Sequence, residues 1–141
     1  MKLKAILAGA LLSAAFTAGA LAANQMYKAD LKGSQENPPN DSKGAGSAEL
    51  TYDSGSKSLS FKVTYSGLSG PATAAHIHGP ADPGKDAPVV IKFDNPASPI
   101  SGSATLTDAQ AQDLAAGKYY INVHTAEHKS GEIRGQVMPA K

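Results

Sequence analysis

All four histidines of the chain fall in two short stretches: His76 and His78 in Ala75-His76-Ile77-His78-Gly79-Pro80, and His124 and His128 in Asn122-Val123-His124-Thr125-Ala126-Glu127-His128. Residues two apart in a strand point to the same face, so His76 and His78 lie side by side with Ile77 turned inward. That spacing lets two imidazoles share one metal ion. In the second stretch Ile121 and Val123 face inward and place Asn122 and His124 on the opposite side. If the two strands are neighbours, three imidazoles converge. Neutral imidazole nitrogen suits copper, zinc, nickel and iron, and with no cysteine in the chain it is the softest strong donor available. Three histidines with an open position make either a catalytic or a plain binding site. His128 lies past the strand, in a loop, and could complete the set, as could Glu127 or Glu132. The competing reading is metal-free: histidines at the rim of a sheet hydrogen-bond to loop backbone and to each other. The cluster is then a pH-sensitive patch near the ordinary imidazole pKa of about 6.5.

A second constellation is Gly131-Glu132-Ile133-Arg134-Gly135-Gln136, in which Glu132 and Arg134 share a strand face, with Glu36 of the early loop a candidate partner for Arg134. As a functional group Arg134 would steer an anion toward the histidines. As a structural one it would pin the early loop through an arginine-carboxylate fork, and this is the reading we prefer because such forks often serve as ties. Ser66-Gly67-Leu68-Ser69-Gly70 has the outline of a nucleophile turn but lacks the strand-serine-helix context, so it reads as a loop. Neither paired carboxylates nor a nucleophile with a base stands out, which leaves hydrolase chemistry without support.

The elements that must position these residues are strands. After residue 25 the chain alternates apolar and polar positions between clusters of Gly, Pro, Asn, Asp and Ser. Leu59, Phe61, Val63 and Tyr65 alternate with Ser60, Lys62 and Thr64, the pattern of a half-buried antiparallel strand. Further strands are expected at Met26 to Leu31, Ala48 to Tyr52, Ala72 to His78, Val89 to Phe93, Gly102 to Leu106, Tyr119 to Thr125 and Glu132 to Val137, with Asp53-Ser54-Gly55 as a hairpin turn. One segment breaks the period. Thr107 to Gly117 carries a capping residue, Gln110 three positions later and a glycine exit, and predicts a single short helix. The expected class is all-β: about seven to eight antiparallel strands in a sandwich or Greek-key barrel, with one helix.

Residues 1–22 read as a cleavable export signal: Lys2 and Lys4, an uncharged run rich in Ala and Leu, then small residues at Ala20-Leu21-Ala22. The run is weakly hydrophobic for a stable membrane span. The remainder, residues 23–141, fits one domain with a modest core, has no second hydrophobic span, and is expected in the periplasm or outside the cell. Of the 13 basic residues Lys2 and Lys4 belong to the signal, so the domain is close to neutral against its 12 acidic residues. No basic stripe points to nucleic acid.

The ordered pieces Ala29-Asp30-Leu31-Lys32-Gly33-Ser34-Gln35-Glu36-Asn37-Pro38-Pro39, Val63-Thr64-Tyr65-Ser66-Gly67-Leu68, Ala74-Ala75-His76-Ile77-His78-Gly79-Pro80, Tyr120-Ile121-Asn122-Val123-His124-Thr125 and Gly131-Glu132-Ile133-Arg134-Gly135-Gln136 resemble the chordin-type CHRD domain. The resemblance spans nearly all of residues 23–141. It implies an immunoglobulin-like β-sandwich, found in bacterial secreted proteins and in animal chordin, without a settled activity. Its pattern covers His76, His78, His124, Glu36, Glu132 and Arg134, varies at His128, and usually has a hydrophobic residue where this chain has Asn37.

Three functions compete. The first is a non-enzymatic exported module binding copper or zinc through His76, His78 and His124. A second is a metal-independent module that recognises another exported protein or a surface polymer. The third is a copper oxidoreductase that resembles superoxide dismutase, by analogy of a His-x-His pair on a β-barrel, although fold does not fix function.

Overall fold

A computed structural model describes residues 13–15 and 23–141. The expected export signal, residues 1–22, lies outside the described residues apart from 13–15. Eight strands follow one another as β1 (Asn24–Lys32), β2 (Ala45–Asp53), β3 (Ser58–Ser66), β4 (Ala72–His78), β5 (Val89–Lys92), β6 (Ile100–Thr105), β7 (Tyr119–Thr125) and β8 (Ile133–Pro139). They form one antiparallel sheet in the order β5-β4-β7-β8-β1-β2-β3-β6, curled so that it nearly closes into a barrel. The all-β expectation holds, and its barrel form describes the molecule better than two separate sheets. Phe61 of β3 and Phe93, just past β5, sit with ring centroids 4.7 Å apart where the open edges approach.

Alternation along each strand explains the closure. Tyr27, Ala29 and Leu31 of β1, Ala48, Leu50 and Tyr52 of β2, and Leu59, Phe61 and Val63 of β3 all face one interior, while their neighbours face water. Ile77, Ile121, Val123 and Ile133 are wholly buried in the same core, each contributing about 1.5–3 kcal/mol by leaving water.

The helix α1 (Asp108–Ala115) joins β6 to β7 and drops Leu114 into the core. Thr107 Oγ1 accepts from Gln110 N–H at 3.2 Å while the Gln110 side chain accepts from Thr107 N–H at 2.9 Å, the capping box read from the sequence. Gly117, at φ 71°, makes the left-handed exit. Among the described residues no helix is long and apolar enough to cross a membrane.

Candidate functional site: a three-histidine face on the sheet

Register places the site. In the half of the sheet next to its β5 edge, β4 pairs with β7 and β7 with β8, so His76 stands opposite both Lys92 and Asn122, and Asn122 opposite Arg134. The adjoining row runs His78, Tyr120, Gln136, and His124 lies opposite Ala74. With Ala75, Ile77, Ile121 and Val123 in the core, these residues occupy the outer face of the barrel. Ala74 has no bulk to put beside His124, which leaves room for the His76 ring: His76 Nδ1 is 3.3 Å from His124 Nε2. His76, His78 and His124 each offer a nitrogen within 4.8 Å of the others. The three imidazoles expected to converge do so.

Backbone carbonyls fix how two of the rings present their nitrogens. His78 Nδ1–H donates to Ala87 O at 2.9 Å and His124 Nδ1–H donates to Lys129 O at 2.8 Å. In the neutral rings the lone pair is thereby left on Nε2, and both Nε2 atoms point at Asn122 Oδ1. A carbonyl that orients an imidazole through its other N–H is the arrangement that usually supports metal-ligating histidines. Burial, reinforced by His124, His78 and Lys92, lowers the His76 pKa to about 4. Burial is also the main cause of a lowered pKa at His78. Both rings are therefore neutral, and open as donors, at ordinary pH.

Behind His78 lies a stack that the sequence did not reveal. Tyr120 is parallel to the His78 ring within 3°, at a centroid separation of 4.8 Å, and the Arg134 guanidinium carbon lies over the Tyr120 ring, 3.5 Å from its centroid. Tyr120 Oη accepts from Ala87 N–H at 3.1 Å, so the ring also holds the carbonyl-bearing loop against His78.

Arg134 is only 2% exposed. It donates to Asp86 Oδ1 at 3.1 Å and to Lys85 O. This corrects the expected partner: Asp86, not Glu36, forms the ion pair, because the 79–88 loop folds over the guanidinium. Arg134 is a tie, as preferred, but for that loop first, and its guanidinium is not open to steer an anion. Asn37 Nδ2 donates to the other Asp86 oxygen at 3.1 Å, so the amide at this position joins the early loop to the same carboxylate. Glu36 is buried, with Oε1 lacking a hydrogen-bond partner. Its carboxyl is raised to about 7, chiefly by burial and against the pull of Arg134.

His128 does not join the cluster. Its Nε2 lies 3.6 Å from Glu132 Oε1, while the fully buried Glu132 carboxylate accepts from Ser69 N–H at 3.0 and 3.2 Å. Glu132 therefore pins the 66–70 loop and gives no ligand to the three-histidine group. That loop is held by Glu132 and by the contact of Ser69 Oγ with Thr125 Oγ1 at 3.3 Å, which agrees with reading it as a loop. Glu127 is exposed on the loop before His128.

Fold and site together define an all-β, barrel-like module whose outer face carries a preorganised cluster of imidazoles. The family model for the CHRD domain matches residues 27–137, and the chain belongs to the CHRD domain family. No curated protein and no solved structure matches the chain.

Proposed function

We propose that this CHRD domain is a non-enzymatic module that binds one transition-metal ion, copper or zinc, through His76, His78 and His124 and works outside the cytoplasm. The observation that carries the reading is the locking of His78 and His124 by Ala87 O and Lys129 O, which turns both Nε2 atoms toward Asn122 Oδ1, with His76 Nδ1 3.3 Å from His124 Nε2. Loop ties account for only one nitrogen of each locked ring. Here one nitrogen of each locked ring is kept for the cluster. Imidazole donors without thiolate suit copper and zinc, and the signal read in residues 1–22 supports a compartment where such ions are handled.

Calorimetric titration of metal-free protein with Cu(II) and with Zn(II) tests this. Saturable binding near one ion per chain is expected, and the His76→Ala/His78→Ala variant should lose it. Equal heats from both proteins would sink the proposal. A module that recognises an exported protein or a surface polymer without metal would keep its partner in the presence of chelator. A copper oxidoreductase would dismutate superoxide faster than the same amount of free copper.

A further inference from the structure

Asn122 occupies the middle of the histidine face, and its place in the metal site follows from three distances. Asn122 Oδ1 is 3.0 Å from His78 Nε2 and 3.1 Å from His124 Nε2, while His124 Nε2 is 3.3 Å from His76 Nδ1. Donors around a tetrahedral ion with bonds of about 2.0 Å stand about 3.3 Å from one another. These three of the six donor pairs therefore have the length of the edges of a coordination shell.

Hydrogen accounting points the same way. The Nδ1–H of His78 and of His124 is committed to a backbone carbonyl, which leaves Nε2 as the nitrogen each ring can offer as a lone-pair donor. A carbonyl oxygen facing two lone pairs is a set of acceptors with no hydrogen among them. Asn122 is 4% exposed, which leaves bulk water little access to relieve the conflict. His76 Nδ1–H can donate to His124 Nε2 at 3.3 Å, which leaves Asn122 Oδ1 facing His78 Nε2 at 3.0 Å, and a cation between these atoms relieves that contact.

Building on the metal-binding reading above, we propose that Asn122 Oδ1 is the fourth donor, completing a shell of three imidazole nitrogens and one amide oxygen for a divalent ion. Neither a histidine motif nor a carboxylate marks this position, since an amide in a strand is ordinarily just a polar surface residue. The competing arrangement is a half-turn of the amide, after which Nδ2–H donates to both Nε2 atoms and Asn122 is a clasp rather than a ligand.

Zn(II) affinity, measured by competition with a chromophoric chelator, separates the two in wild type, Asn122→Ala and Asn122→Asp. The alanine variant should bind Zn(II) at least tenfold more weakly, and the aspartate variant, with an oxygen in the same place, should match or exceed wild type. In labelled wild-type protein the Asn122 side-chain carbonyl carbon should shift on adding one equivalent of Zn(II). An alanine variant within twofold of wild type, or a carbonyl carbon that does not move while Zn(II) binds, would overturn the proposal. If Asn122→Ala does not fold, the aspartate variant and the carbon shift decide. Wild type that binds no ion defeats the metal reading itself, whereas loss of binding in His76→Ala/His78→Ala but not in Asn122→Ala defeats only the role of Asn122.

Discussion

Replacing Glu36 by Gln probes a carboxyl that the fold holds against its preference for water. Glu36 is 5% exposed, Oε1 has no hydrogen-bond partner, and Arg134 gives its ion pair to Asp86. Burial raises the group from its ordinary 4.5 to about 7, against the opposing pull of Arg134 and the Asn37 N–H. The folded state therefore binds more protons than the unfolded chain between these two values. The protonated carboxyl contributes stability that is fully present below about pH 4.5 and is lost as pH rises through about 7. At ~1.36 kcal/mol per unit the ceiling is about 3 kcal/mol, and residual solvent screening brings the expected effect to roughly 1–2 kcal/mol. Gln carries no charge at any pH, so Glu36→Gln should gain that amount relative to wild type between pH 5 and pH 9. Urea denaturation of both proteins across this range gives the difference directly, and the His76 and His78 titrations cancel in it. Parallel stability curves would refute the reasoning.

Arg134→Lys keeps the charge but loses the fork to Asp86 and Lys85 O and the flat seat on Tyr120, and should cost about 2 kcal/mol. Thermal unfolding together with limited proteolysis of the 79–88 loop would show it, and a change below ~0.5 kcal/mol with an uncut loop would mean that Arg134 is not the tie. Gly135→Ala places a Cβ 2.3 Å from Asp30 O on β1, so β1 and β8 must part at a cost of about 3 kcal/mol; chemical denaturation indistinguishable from wild type would contradict that close approach.

Strands and imidazoles were legible because both obey a period of two. Ala72 to His78 and Tyr119 to Thr125 were bounded to the residue, since alternating Ile, Val and Ala against His and Asn leaves one register that buries the apolar set. Thr107, Gln110 and Gly117 marked the helix for a local reason, the capping of its ends. What local pattern could not carry was long-range choice. Asp86 sits in the aperiodic 79–88 loop, and only the folding of that loop over β8 sets it against Arg134 rather than leaving Arg134 to Glu36. His128 was named with the other histidines, yet a pair with Glu132 is what its loop permits. Tyr120 looked like one more strand aromatic; its contacts with His78 and Arg134 depend on the register of three strands. Curling into one nearly closed sheet instead of two is also a global outcome, in which Phe61 of β3, next to the β6 edge, meets Phe93, just past the β5 edge.

The central claim is that His76, His78 and His124 hold a metal ion in the working protein, and metal analysis of the protein purified from its own compartment without chelators tests it most directly. About one equivalent of copper or zinc per chain is predicted, falling to background in the His76→Ala/His78→Ala variant purified in the same way. Native protein that carries no more metal than that variant would contradict the account.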